Sequence, residues 1–325
     1  MHPFVSVILC THNPRPGSFR RALDALRAQT LSLKEWEFVL VDNGSKERLS
    51  VEWDISWHPR GRHVRENEIG LTTARLRGIT EASGELLVFV DDDNLLAPDY
   101  LERAVSIFGG YPHLGVFGSG ILEPEFEIQP KAELLPWLHL LALRRVSSVL
   151  WTNNTGDWKS IPWGAGLCVR RQVAEFYPKL LKYLNVNAVL DRRGRHLFCG
   201  GDDVFSWASV RLGKGFGLFP ELRIIHVIAE ERLNRQYFLR LFDGNYFSNS
   251  ILHYLLAGIQ PRRMNGYRSL LVVVQGIKRG LFTMQMQWAA LRGEDRAARF
   301  ISGNQFLPKN VTFGVVGYAA GGSDS

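Results

Sequence analysis

Short apolar runs alternate with amphipathic helical segments over the first 120 residues, and this narrows the available folds more than any other feature of the sequence. Phe4–Cys10, Phe38–Val41 and Leu86–Val90 read as buried strands. Ser18 stands where it can cap a helix carrying Phe19, Ala22, Leu23 and Leu26 on one face. The spacing over Thr72–Ala82 predicts a second helix, and Pro98 suits the first turn ahead of a third over Tyr100–Phe108. A further strand, Val116–Gly118, follows. Such alternation predicts an α/β fold: a mainly parallel sheet covered by helices on both faces. Ligands of such sheets bind beyond the carboxyl ends of the strands. Each strand here ends in polar residues: Cys10 runs into Thr11 and Asn13, Val41 into Asp42, and Val90 into Asp91, Asp92 and Asp93.

Composition removes several alternatives. With 325 residues, 46% hydrophobic and 22% charged, the chain matches a folded globular protein rather than a disordered or collagen-like one. Its longest apolar runs, such as Leu270–Val274, fall far short of the ~18–20 residues that span a bilayer. Phe4–Cys10 meets polar Thr11, His12 and Asn13 too soon for a secretory signal, so a cytoplasmic location is expected. Cys10, Cys168 and Cys199 are odd in number and far apart, which disfavours a disulfide framework or a thiolate zinc site. Cys168 and Cys199 read as small core residues. Of the net charge of +7, an excess of six lies in residues 261–300 (Arg262, Arg263, Arg268, Lys278, Arg279, Arg292, Arg296 and Arg299 against Glu294 and Asp295). A nearly neutral body with a basic tail argues against a nucleic-acid partner and leaves an anionic surface as a partner for the tail.

From 121 to 170 the pattern loosens into Pro- and Trp-bearing stretches that include Pro162-Trp163-Gly164-Ala165-Gly166. A helix-like segment leads to Gly200-Gly201-Asp202-Asp203, after which Val204–Leu212 has helical period. Beyond His226 the chain reads as helical to about residue 300, and Gly321–Ser325 reads as mobile. In the tail Leu270, Val273, Val274, Ile277, Leu281, Met284, Trp288 and Leu291 recur at spacings of three and four, which reads as one apolar stripe along a helix. Lys278, Arg279, Gln285 and Arg292 lie off it. The stripe suits packing on the preceding domain or on a partner subunit, as in a homo-oligomer. It also suits interfacial attachment to an anionic membrane surface.

Three consecutive carboxylates at a strand end repel one another, and a divalent cation offsets that cost while using substrate phosphates as further ligands. Asp91-Asp92-Asp93 therefore reads as a metal–diphosphate site for Mg²⁺ or Mn²⁺, the alternative being a solvated turn near a helix start. Asp42, followed by Asn43-Gly44-Ser45, reads as an Asx-turn or as an acceptor for a pyrimidine N–H. Thr11 and Asn13 are loop residues or base and ribose contacts. Asp202 and Asp203 suit a helix N-terminus, or a base whose pKa is raised by its neighbour. His226 reads as a buried residue or a ligand, and Trp163 as a packing residue or a sugar platform. Gly164 and Gly166 permit close backbone approach at an acceptor cleft.

These segments resemble the inverting nucleotide-sugar glycosyltransferases of family two. The resemblance runs through Phe4–Asn13 (FVSVILCTHN), Glu37–Ser45 (EFVLVDNGS), Asn67–Gly78 (NEIGLTTARLRG) and Gly84–Asn94 (GELLVFVDDDN). It continues through Trp163–Arg171 (WGAGLCVRR), Gly201–Gly213 (GDDVFSWASVRLG) and Phe219–His226, covering roughly residues 3–245. The resemblance implies a GT-A fold, a nucleoside-diphosphate sugar donor with uridine the commonest base, a divalent metal, and a glycan or lipid-linked acceptor. On this mapping Asp42 contacts the base, and Thr11, Asn13 and Arg75 line the nucleotide pocket, with Gly70 ahead of the Arg75 helix. Asp91, Asp92 and Asp93 hold ribose, metal and diphosphate, and His226 completes that shell. Trp163, Gly164, Ala165 and Gly166 lie on the acceptor side, and Asp203, or else Asp202, is the base. Leu76, Asp202 and Phe205 depart from the residues usual in the family; the last two leave the choice of base open, and Leu76 and Phe205 keep a non-catalytic nucleotide-sugar or glycan binder open. A nucleotidyltransferase would want a glycine- and arginine-rich phosphate loop, and Thr11–Pro16 supplies one Arg and no Gly. The expected organisation is a catalytic domain over 1–228, its donor half ending near 120, and a helical extension over 229–325. The expected location is cytoplasmic or peripheral at the inner face of the membrane.

Overall fold

The computed structural model describes residues 3–186, 192–193, 196–197 and 200–303; Cys199 and the tip 321–325 lie outside the described residues. The chain opens with β1 (Val5–Thr11), α1 (Pro16–Arg27), β2 (Trp36–Asn43), the one-turn α2 (Leu49–Glu52), β3 (Gly61–Glu66), α3 (Leu71–Glu81) and β4 (Leu86–Val90). Next come β5 (Asn94–Leu96), α4 (Tyr100–Gly110), β6 (Leu114–Phe126) and a 3-10 stretch over Ala132–Leu141. The short β7 (Arg144–Arg145) and β8 (Leu150–Thr152) lead to β9 (Leu167–Arg170) and α5 (Arg171–Leu184). A small antiparallel pair, β10 (Arg192–Arg193) and β11 (His196–Leu197), precedes α6 (Gly201–Arg211) and β12 (Gly215–Ile228). The helices α7 (Arg235–Ala257), α8 (Gly266–Arg279) and α9 (Leu281–Gly303) follow.

The main sheet runs β3-β2-β1-β4-β9-β6-β12-β5, with β7 on β6 and β8 on β12. Its first four strands are parallel, β9 is antiparallel to β4 and β6, β6 and β12 are parallel, and β5 runs against β12. The sheet is therefore mixed and mainly parallel. Register brings the strand ends together, since Thr11 is level with Asp42 and Leu9 with Val90. The polar tips of β1, β2 and β4 thus share one edge, where the backbone of a parallel sheet leaves room for a ligand.

Each face of the sheet has its own core. Ala74, Val173, Val204 and Trp207 cover one face together with Ile8, Val39 and Phe89, while Phe19, Leu23, Leu101 and Ala104 cover the other with Val7, Phe38 and Val88. A third cluster joins Leu134, Leu141 and Ile228 to Phe238, Phe282 and Met286, so the C-terminal helices dock beside the 3-10 stretch. Phe205 is fully buried, stacked on Tyr177 with centroids 3.6 Å apart, so this position serves the core.

Two sequence expectations change. Ser18 is not the cap of α1: Arg15 holds that position and Pro16 opens the helix, because its fixed φ and missing N–H suit the first turn. Ser18 instead donates its hydroxyl to the Arg15 carbonyl at 3.3 Å. The apolar stripe of the tail is not one helix either, for Gly280 at φ +92° separates α8 from α9. Leu291 is buried on α9, whereas Leu270, Val273, Val274, Ile277 and Leu281 are exposed.

Candidate active site

Several of the residues singled out in the sequence gather at the tips of β1 and β4. Thr11, buried at the end of β1, donates its hydroxyl to Asp92. Burial pushes the Asp92 carboxyl up to about 7, Asp93 adds to the rise, and the Thr11 hydrogen bond opposes it. His226 arrives here because β12 pairs with β5 so that His226 is level with Asn94. Its Nε2 lies 3.4 Å from an Asp93 carboxylate oxygen. The Arg232 guanidinium lies 3.0 Å from that same oxygen and 3.0 Å from the His226 Nε2. Burial opposes the Arg232 charge, yet Asp93 holds its pKa above the ordinary value. A cavity of about 120 Å³ opens here, lined by Asn13, Arg15, Ser18, Asp92, Asp93 and Arg232 among others.

Asn13 adopts the left-handed region at φ +48° and ties the β1 loop to the turn after β2. Its N–H donates to Ser45 Oγ at 2.9 Å, and its side-chain oxygen accepts from the Lys46 N–H at 2.9 Å. Asp42 is buried and accepts from the Ser45 N–H at 2.9 Å and from Arg65 at 2.7 Å. Both partners follow from position: Ser45 is three residues along the turn, and Arg65 stands level with Asp42 on β3. The Gly70 N–H donates to Asn43 Oδ1 at 2.8 Å, which fixes the entry to α3 behind the strand ends.

Arg75 on α3 connects this group to the opposite wall. Its side chain is 5% exposed and forms an ion pair with Asp202 on α6, with Asp91 3.8 Å away on the other side. Although burial opposes the charge, Asp202 and then Asp91 hold its pKa above the ordinary guanidinium value. Asp202 also accepts the Gly164 N–H at 2.8 Å. A Cβ at Gly164 would meet both Arg75 and the Asp202 carboxylate, so glycine is what lets these three pack. Asp203, the next residue, differs in environment: burial and then Asp202 push its carboxyl up to about 7, against lowering by its own backbone N–H and Arg144.

Arg144, from β7, lies over Trp163, its guanidinium carbon 3.5 Å from the ring centroid, and donates to the Ile161 carbonyl at 2.8 Å. Burial lowers its pKa to about 10, with Asp203 opposing. Arg144 also lines a second cavity of about 600 Å³, with Leu122, Pro124, His139, Leu143 and Arg145. Ala165 and Gly166 lie one layer deeper: Ala165 is buried, and the Tyr100 hydroxyl donates to the Gly166 carbonyl at 2.6 Å.

Thr11, Asn13, Asp92, Asp93 and His226 therefore sit together around one cavity, while Arg75 joins Asp91 to Asp202 beside Asp203, Gly164 and Trp163. Asp42 stands at the far side of the donor edge with Arg65. The sequence reading missed Arg65, Arg144 and Arg232. Their pairings span strands and loops, and neither the polar run of β3 nor the two-residue β7 carries an apolar period that would place them. Cys10 and Cys168 are buried thiols raised by that burial, Cys10 to about 12, which leaves them inert.

The residues present fit a hard divalent cation. At the tip the buried Asn94 Oδ1 has no hydrogen-bond partner among the described residues, and Asp91 and Asp93 supply further hard oxygens. Among the described residues no three His, Cys, Asp or Glu side chains converge on a preformed metal site. A cation held by one or two carboxylates and completed by substrate phosphates does not need such a cluster.

Residues 6–145 match the family model described as glycosyl transferase family 2. Glycosyltransferase AglE of Haloferax volcanii is 31% identical over 111 residues, 33% of this chain and 36% of that protein. A glucosyl-dolichyl phosphate glucuronosyltransferase of the same organism is 27% identical over 139 residues, 41% of this chain and 42% of that one. The chain spans about a third of the length of the first curated relatives it matches. A mannosyltransferase from Pyrobaculum calidifontis, solved with GDP-Man and Mn²⁺, superposes with a TM-score of 0.53 at 18% identity, over 94% of this chain and 88% of that one. That likeness concerns the fold.

Proposed function

Because the chain carries a glycosyl transferase family 2 domain in residues 6–145 and the GT-A fold, we propose that it is a metal-dependent inverting glycosyltransferase. It would move a hexosyl group from a nucleoside-diphosphate donor, with uridine the expected base, to a hydroxyl of a glycan or lipid-linked acceptor. The observation that carries this reading is the raised Asp203 carboxyl, standing beside an Asp202–Arg75–Asp91 chain that ends at the acidic tip of β4. Residues 1–228 would form the catalytic unit and 229–325 the helical extension, peripheral at the inner face of a membrane.

The chemistry follows from charge. The acceptor hydroxyl loses a proton as it attacks the anomeric carbon, and Asp203 is poised to take it because a carboxyl titrating near neutrality holds the proton well once it is received. Asp202 is already engaged with Arg75 and the Gly164 N–H, which leaves it as the group that positions this wall. On the leaving side, Arg232 and His226 sit where negative charge grows on the departing diphosphate. A divalent cation held by Asp91, Asp93 and His226 would supply further positive charge to that diphosphate. Thr11, Asn13 and Asp42 would orient the nucleoside, with Arg65 setting the Asp42 carboxylate.

Two measurements test the reading. In a thermal-shift screen of nucleotide sugars, a uridine donor is expected to raise Tm only when Mn²⁺ is present, and Asp93→Asn is expected to abolish that dependence. Stabilisation by no nucleotide sugar at all would overturn the donor assignment. The rate of transfer at saturating substrates is expected to rise with pH and level off above about 7, since Asp203 accepts a proton only once it is ionised. A rate that falls across that window would remove Asp203 as the base.

A further inference from the structure

The helix α8 presents its apolar face to solvent. At ~100° per residue, Val272 and Gly276 share one side of the helix, and these two are buried. At Gly276 a Cβ would collide with Met284 of α9, so the two helices touch at a residue that has no side chain. Tyr267, Leu270, Val273, Val274 and Ile277 spread over the opposite side. Tyr267 is 72%, Leu270 60% and Ile277 80% exposed, and Leu281 continues the patch past the bend. A contiguous apolar surface of this kind facing water is costly unless something covers it.

The charges around the patch indicate what that is. No Asp or Glu occurs between Asp243 and Glu294. Arg268 is paired with Glu294, whereas Arg262, Arg263, Lys278 and Arg279 are exposed and have no carboxylate within ion-pair distance among the described residues. A second copy seated on this face by a two-fold axis would bring like charges together. A sheet of anionic headgroups would satisfy both the basic rim and the apolar centre. No described helix is long and apolar enough to cross a membrane, so the contact is at the surface.

We propose that α8 is a membrane-docking helix, inserting Leu270, Val273, Val274 and Ile277 among the acyl chains of an anionic leaflet while Arg262, Arg263, Lys278 and Arg279 meet the headgroups. The inference rests on the peripheral location proposed above and gives it a surface and a lipid class. Vesicle binding requires neither donor nor turnover, so its failure is distinguishable from failure of the transferase reading.

Co-sedimentation with vesicles of phosphatidylcholine alone, and of phosphatidylcholine with phosphatidylglycerol, provides the test. The full chain is expected to bind the anionic vesicles at least ~10-fold more tightly and to lose that preference at high salt. Leu270→Glu combined with Ile277→Glu should abolish binding while leaving the thermal transition in place, because both side chains are exposed. Lys278→Glu with Arg279→Glu should remove the preference for anionic lipid. Equal binding to both vesicle types, binding retained by the Leu270/Ile277 variant, or a dimer in solution that this variant converts to a monomer would each overturn the proposal.

Discussion

Asp203→Asn is expected to lower the rate of sugar transfer by roughly 10²–10⁴, the range removed when a positioned general base is lost, while donor affinity stays unchanged. The amide is isosteric and leaves the Asp202–Arg75 pair intact, so the fold should be undisturbed. The carboxyl of Asp203 owes its raised pKa first to burial and then to its neighbour, whereas Asp202 has its oxygens committed to Arg75 and the Gly164 N–H. Turnover and donor binding measured side by side provide the check. Wild-type turnover in the variant would move the base elsewhere and revive a purely binding role for the chain.

Arg75→Met is expected to cost about 1–3 kcal/mol of folding stability, less than the ~3–5 kcal/mol for a fully buried pair, because Asp202 and Asp91 keep 27% and 36% of their side chains exposed. Its guanidinium is 5% exposed, neutralises Asp202 and lies 3.8 Å from Asp91. Methionine fills much of the same volume but leaves the Asp202 and Asp91 carboxylates without their shared cation. Chemical denaturation read by circular dichroism measures the loss, and a change below about 1 kcal/mol would show that water replaces the guanidinium without penalty. Arg75→Lys should recover only part, since an ammonium cannot fork between two acids.

Much of the donor edge was legible because it depends on local pattern. The near-continuous apolar runs of β1, β2 and β4 announce strands buried on both faces, and their polar ends mark the ligand edge. Elements that break this rule were harder to see. The strand β6 runs on through Glu123, Pro124 and Glu125, where its outer end is exposed, so the apolar core Val116–Gly118 shows only part of it. The strand β9 is four residues long and ends in Arg170. In α8 the apolar period was readable but its direction was not: periodicity reports that a face exists, and only the placement of Gly276 against Met284 turns that face outward. For the same reason Arg65, Arg144 and Arg232 were invisible, as each matters through a partner distant in sequence or across a loop.

The shared guanidinium of Arg75 has one more effect. It hangs between Asp91 at the tip of β4 and Asp202 at the head of α6, so under the proposed transferase reading the donor and acceptor sites share one side chain. Whatever draws Asp91 aside alters the grip on Asp202. Thermodynamic linkage then makes the influence mutual: the factor by which an arriving donor changes acceptor affinity is the factor by which the acceptor changes donor affinity.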